Sequence, residues 1–157
     1  MSGFRRGVRL GIDVGRARVG VARCDPDGML AVPVETVPRS ETSIDRLAEL
    51  VAEYEPLEFV VGLPVNLQGT DTASTVDARE FAAALQSRTG IPVRLVDERL
   101  STVTAHAALR SSGRSQKNSR SIVDQIAAVV LLQQAIDMEK STGNPAGATI
   151  PHDEESA

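Results

Sequence analysis

This chain has one cysteine, no tryptophan, one tyrosine, three phenylalanines and two histidines. The lone Cys24 excludes an internal disulfide and agrees with a reducing compartment. It reads as a small packed residue near the end of a strand. With aromatics at 3% and hydrophobic residues at 41%, the core must be aliphatic. So few aromatic platforms argue against a binder that stacks single-stranded bases. No Cys/His cluster exists to hold zinc. No apolar run is long enough to cross a bilayer, and no basic-then-apolar leader opens the sequence. A cytoplasmic protein with no membrane partner is expected. A length of 157 residues suits one domain, read as residues 1–138, followed by a disordered acidic tail over 139–157.

The net charge of −4 argues at first against a nucleic-acid partner, but its distribution is uneven. Residues 139–157 carry Glu139, Asp153, Glu154 and Glu155 against Lys140, a net of −3. Residues 1–23 hold Arg5, Arg6, Arg9, Arg16, Arg18 and Arg23 with the single acid Asp13. Residues 110–120 hold Arg110, Arg114, Lys117 and Arg120 with no acid. The molecule is polarised, with basic segments available for phosphates.

Residues 7–14 and 17–24 read as paired strands around Gly15, and Asp25-Pro-Asp-Gly28 as a turn. A third strand over 29–37 contains Pro33, which places it at a sheet edge. Apolar spacing predicts helices over 42–54 and 71–88, with Gly90 past the end of the second. Strands are expected at 57–62 and 91–96. A short helix follows Ser101, then a polar basic loop over 111–119 and a last helix over 121–138. The order βββαβαβαα describes an α/β fold: a mixed five-stranded sheet with helices on both faces.

Three acids stand where chemistry can gather. Asp13 ends the first strand, where ionisation does nothing obvious for packing. Glu98 lies just past the fifth strand. Asp124 falls in the first turn of the last helix, where Ser121-x-x-Asp124 resembles a capping box. Each has a structural explanation alone: a turn, a solvated partner of Arg99, a cap. Together they would repel one another unless divalent cations neutralised them, and oxygen-only ligation favours Mg2+ or Mn2+. Two such ions can activate a water and stabilise the leaving oxygen of a phosphodiester. His106 reads as an ordinary helix residue, and Ser101 and Thr102 as caps rather than nucleophiles.

Four ordered segments carry a family resemblance: Gly11-Ile-Asp13-Val-Gly15-Arg-Ala-Arg18-Val-Gly20-Val-Ala22, Val61-Gly-Leu-Pro64-Val-Asn66-Leu-Gln-Gly69-Thr70, Asp97-Glu98-Arg99-Leu-Ser-Thr102 and Asp124-Gln-Ile-Ala-Ala128. Over residues 8–138 the chain resembles the bacterial YqgF/RuvX family of the ribonuclease H-like superfamily. The resemblance implies a ribonuclease H-like sheet with strand two antiparallel to the rest. It implies a nuclease maturing the 5′ end of pre-16S rRNA, with resolution of Holliday junctions also proposed for the family. Asp13, Glu98 and Asp124 match the family's proposed catalytic, metal-holding acids.

Superfamily relatives such as RuvC take an acid from the end of strand four. This chain has Gly62-Leu63-Pro64 there, so the second acid must come from strand five. Asp97 and Glu98 compete for that role. Adjacent strand side chains face opposite ways, so one of them serves, and Glu98 is the choice.

Arg16, Arg18 and Arg99 are then expected on the phosphates nearest the ions, Asn66 and Gln68 as polar contacts, and Arg114, Lys117 and Arg120 over a longer substrate of structured RNA or branched DNA. Paired cuts in a symmetric junction would call for a homodimer. Two other readings compete. A phosphotransferase related to actin and sugar kinases would need a second Asp-x-Gly motif, which the sequence lacks. A non-catalytic nucleic-acid-binding factor in ribosome assembly or transcription would bind without cutting.

Overall fold

A computed structural model describes residues 4–66, 68–97 and 116–150, with side chains of the last segment described from Asp124 onward. The elements in chain order are β1 (Arg9–Val14), β2 (Arg18–Cys24), β3 (Ala31–Pro38), α1 (Ser43–Tyr54), β4 (Glu58–Leu63), α2 (Ala73–Thr89), β5 (Val93–Asp97), α3 (Gln116–Thr142) and β6 (Ala148–Thr149).

The strands form one sheet in the order β3-β2-β1-β4-β5-β6. β1, β4 and β5 run parallel, while β2 is antiparallel to both β1 and β3. This is the expected mixed α/β sheet with one addition. The sixth strand pairs antiparallel with β5, Leu95 against Ala148. Pro33 does lie on the edge strand β3, next to an irregularity opposite Val21 and Ala22. A proline there leaves no ladder donor missing inside the sheet.

Period-two alternation divides β1 between two cores. Leu10, Ile12 and Val14 join Leu47 and Leu50 of α1 and Phe81, Ala82 and Leu85 of α2 on one face. On the other face, Ala22, Cys24 and Val60 pack against Ala128, Leu131, Leu132, Ala135 and Ile136 of α3. Gly11 lies beneath this helix. A Cβ there would come within 2.9 Å of the Ala128 carbonyl and of Leu132 Cβ, so the glycine lets α3 approach the sheet backbone. α2 begins on a reciprocal Thr72–Thr75 capping box and ends at Gly90 in the left-handed conformation (φ 73°).

The acidic tail departs from expectation. Helix α3 runs on to Thr142, Ala146 is buried, and β6 extends the sheet, so the chain is ordered as far as Ile150. Residues 151–157 lie outside the described residues. The physical reason is Glu139, which is 2% exposed and belongs to the fold. Its carboxylate accepts from the Arg5 backbone N–H at 2.9 Å, from Arg5 Nε at 3.0 Å and from Arg9 Nη2 at 3.2 Å. Glu58 completes the cluster, accepting from Arg5 and Arg94 and lying 3.7 Å from Arg9 Nε. Arg9 is only 1% exposed, and the Phe4 ring covers its guanidinium. A buried arginine on a core strand requires such partners.

Candidate active site

The carboxyl ends of the parallel strands β1, β4 and β5 are Val14, Leu63 and Asp97, and ligands on open α/β sheets bind beyond such ends. Asp13 lies one residue before the end of β1. It shares the parity of Gly11, so it stands on the α3 side of the sheet. Its antiparallel register partner on β2 is Gly20. An added Cβ at Gly20 would lie 2.0 Å from the Asp124 carbonyl oxygen and 3.0 Å from Asp124 Cβ. Gly20 is therefore where α3 rests on the sheet, and its neighbour across the ladder is Asp13. Asp124, Ala128 and Leu132 form an i, i+4, i+8 stripe lying over Gly20 and then Gly11. Two bare strand positions thus seat the helix and bring Asp124 over Gly20, across the ladder from Asp13.

Asp124 is not a cap. Helix α3 begins at Gln116, which puts Asp124 more than two turns inside and removes the first-turn explanation. The carboxylate is half-buried, and burial pushes its pKa above the usual aspartate value. The hydrogen bond and charge of Arg18 offset this only in part. Arg18 Nε donates to Asp124 Oδ2 at 2.8 Å. The sequence reading placed Arg18 on a substrate phosphate; here it engages one of the acids. The sign of the shift means that ionising Asp124 opposes folding: its contribution to stability is present at low pH and lost as pH rises through its raised pKa.

Asp97 is exposed and follows Val93 and Leu95 in alternation, on the α1/α2 face and opposite to Asp13. Glu98 and Arg99 lie outside the described residues, as do Arg114 and the side chains of Lys117 and Arg120. The helix expected after Ser101, with His106, lies there too.

Arg16 is exposed on the β1–β2 turn. Asn66 organises its own loop: Oδ1 accepts from the Gln68 and Thr70 amides at 3.1 and 2.9 Å, and Nδ2 donates to Thr70 Oγ1 at 2.6 Å. Gln68 is exposed on that loop.

The sequence reading missed what holds the turn. Gly15 N–H donates to the Arg18 carbonyl at 2.8 Å. Arg39 Nη1 donates to the Gly15 carbonyl at 2.9 Å, and its guanidinium grips both Asp77 oxygens at 2.8 and 2.9 Å. Arg39 also covers the Phe81 ring, so helix α2 anchors the turn from behind. A strand-end arginine and a helical aspartate 38 positions apart give no sequence signal of this. Gly11 and Gly20 did give one, as glycines inside strands, which mark close approach by another segment.

The donor chemistry suits a hard divalent cation. Asp13 and Asp124 offer only carboxylate oxygens, and among the described residues neither histidine nor accessible thiol stands beside them, since Cys24 is buried near Arg9. Among the described residues no group of three metal-ligating side chains converges; the third acid expected there, Glu98, lies beyond them.

Gly20→Ala tests the seat directly. Its Cβ meets backbone that cannot rotate away, so α3 must shift at Asp124. The expected result is a loss of about 1–3 kcal/mol of stability with a larger proportional loss of any activity that needs Asp124 beside Asp13. Thermal unfolding and cleavage assays on the same protein check it.

A three-stranded meander, two parallel crossovers and an acid at the end of the first strand define a ribonuclease H-like α/β protein. The solved structure of Thermus thermophilus RuvC in complex with a Holliday junction substrate shares this fold. Its TM-score is 0.56 at 19% sequence identity, covering 88% of this chain and 99% of that one. At that identity the likeness concerns the fold alone. The family model RuvX, described as Holliday junction resolvase, matches residues 7–138, and the chain belongs to that family. Among its relatives, a Leifsonia xyli protein is 57% identical over 149 residues, covering 94% of this chain and 96% of its own length. A Streptomyces coelicolor protein is 53% identical over 150 residues, covering 94% and 90% respectively. Both carry the name "Putative pre-16S rRNA nuclease".

Proposed function

We propose that this protein is a Mg2+- or Mn2+-dependent endonuclease that hydrolyses phosphodiester bonds in structured nucleic acid. Maturation of the pre-16S rRNA 5′ end is its main task, and branched DNA is a second substrate class. The observation that carries this reading is the placement of Asp124 against Gly20, directly across the ladder from Asp13. A helix interior holding a half-buried aspartate beside a strand-end aspartate is costly unless a cation shares them. Relatives at more than 50% identity support the rRNA assignment, and the family description supports branched DNA.

In this reading Asp13, Glu98 and Asp124 hold the ions. Asp97 is disfavoured for the middle role by its opposite face, which leaves that role to Glu98. When bound, the cations would supply an activated water and charge stabilisation for the leaving oxygen. The protein's own part is to fix the carboxylates by the glycine seat and by the Arg39–Asp77 clamp on the turn. Arg16 stands on the rim, where a substrate phosphate would pass.

The test is a cleavage panel of a precursor-rRNA fragment, a four-way DNA junction and simple duplexes. Cleavage should stop in EDTA and return with Mg2+ or Mn2+. Tight binding with no cutting under any cation would instead identify a non-catalytic assembly or transcription factor. Paired, symmetric cuts in the junction would identify a homodimer as the working form.

The basic segment, whose Lys117 lies in the first turn of α3 rather than in the loop expected over 111–119, carries a separate expectation. Arg114→Ala with Lys117→Ala should flatten the dependence of log affinity on log salt by roughly 1.4–1.8, the value for two lost phosphate contacts. A filter-binding series from low to moderate salt measures it, and an unchanged slope removes this segment from the contact surface.

A further inference from the structure

We infer that Arg18 is a removable counter-ion: it holds the Asp124 carboxylate until a substrate phosphate takes the guanidinium away, and only then is that carboxylate released to a cation. The inference rests on the reading of Asp124 as a cation ligand and adds an order to it, with nucleic acid first and metal second.

Three observations carry it. The contact is single-pointed, Arg18 Nε to Asp124 Oδ2 at 2.8 Å, and among the described residues the Nη groups make no other hydrogen bond. Arg6 and Arg94 also bind through Nε alone, whereas two arginines make forked pairs. Arg39 grips both Asp77 oxygens and Arg46 both Glu35 oxygens. Two-point pairs of that kind are the strong ones, and a one-point pair is the easier to exchange.

Exposure differs across the pair as well. The Arg18 side chain is 36% exposed while that of Asp124 is 16% exposed, so the guanidinium can reach solvent without moving the helix. Finally, Arg18 opens β2 directly after the turn that carries Arg16, the segment nearest any phosphate docking on Asp13. A guanidinium rotating about its own side chain can exchange a carboxylate for a phosphate oxygen, since both accept the same fork of donors.

Competition for one carboxylate has a reciprocal consequence: what weakens the pair must favour both ligands. Four proteins test it: the parent, Arg18→Ala, Asp124→Asn and the double variant. Mn2+ affinity is measured without nucleic acid by counting free Mn2+ in paramagnetic resonance. Affinity for a labelled four-way DNA junction is measured in EDTA. Arg18→Ala should bind Mn2+ about tenfold more tightly, and Asp124→Asn should bind the junction several-fold more tightly because its arginine is released. Both gains must vanish in the double variant, which reports coupling rather than bulk charge. Arg16→Ala, the same charge change on the adjacent turn, should shift Mn2+ affinity far less.

Gains that persist unchanged in the double variant, or an Arg18→Ala protein with parental Mn2+ affinity, overturn the inference. That failure is distinct from failure of the site itself, which would show as an Asp124→Asn protein with parental Mn2+ affinity.

Discussion

Asp13→Asn is expected to reduce cleavage by about 10^3-fold or more, equivalent to about 4 kcal/mol of barrier, while nucleic-acid binding in EDTA is kept or improved. The substitution preserves size and hydrogen-bonding shape but removes the charge that a shared cation needs. Little else should change. Asp13 lies at the end of β1, partly exposed, and the buried residues Leu10, Ile12 and Val14 point to the other face. The melting temperature without added metal should therefore equal or slightly exceed the parent's, since the change also removes a like charge from the acid pair. Stabilisation by Mg2+ or Mn2+, which follows from binding to the folded state alone, should shrink. Equal cutting by variant and parent would assign the activity to a contaminant or to another site.

The largest stability effect is expected at the opposite end of helix α3. Glu139→Ala removes an acidic partner of Arg9 and Arg5 and leaves a nearly fully buried guanidinium whose remaining partners among the described residues are the Gly7 and Arg5 carbonyls and, at 3.7 Å, Glu58. Breaking one side of a buried pair in this way costs about 3–5 kcal/mol. For a chain of this size that is a fall of roughly 6–20 °C in melting temperature. Glu139→Gln keeps the shape and should fall between.

The same cluster sets an acid limit. Burial alone would push the Glu139 pKa up, but hydrogen bonds from Arg5 and the charge of Arg9 hold it below the ordinary glutamate value. Its stabilisation is therefore complete above the unfolded pKa and lost as pH falls through the lowered folded value. Glu139→Gln should show a flatter decline of stability with acid than the parent, read from melting curves over an acidic pH series.

The fold was legible because its signals are local. The β1–β2 pair showed in apolar alternation about Gly15, the edge strand in Pro33, and the end of α2 in Gly90. Long-range terms were not legible. Glu139 reads as one acid of a polar tail, and only its distant partners Arg5 and Arg9 make it core. A two-residue strand such as β6 has too little pattern to be seen before its neighbour β5 is known.

Asp124 shows the other side of this limit. Ser121-x-x-Asp124 satisfied a local capping pattern, yet the helix begins earlier at Gln116. Its tertiary position over Gly20 decides its role. The candidate acids were legible as residue types at strand ends, while the clamp of Arg39 on Gly15 was hidden because hydrogen bonds to backbone carbonyls leave no mark on composition.

Helix α3 meets both ends of β1, with Asp124 near Asp13 and Glu139 on Arg9. It is drawn from the last quarter of the chain. During synthesis, β1 leaves the ribosome more than a hundred residues ahead of the segment that neutralises Arg9 and completes the acid pair. Until that segment emerges, a nascent chain can neither bury the arginine nor seat Asp124 on the sheet.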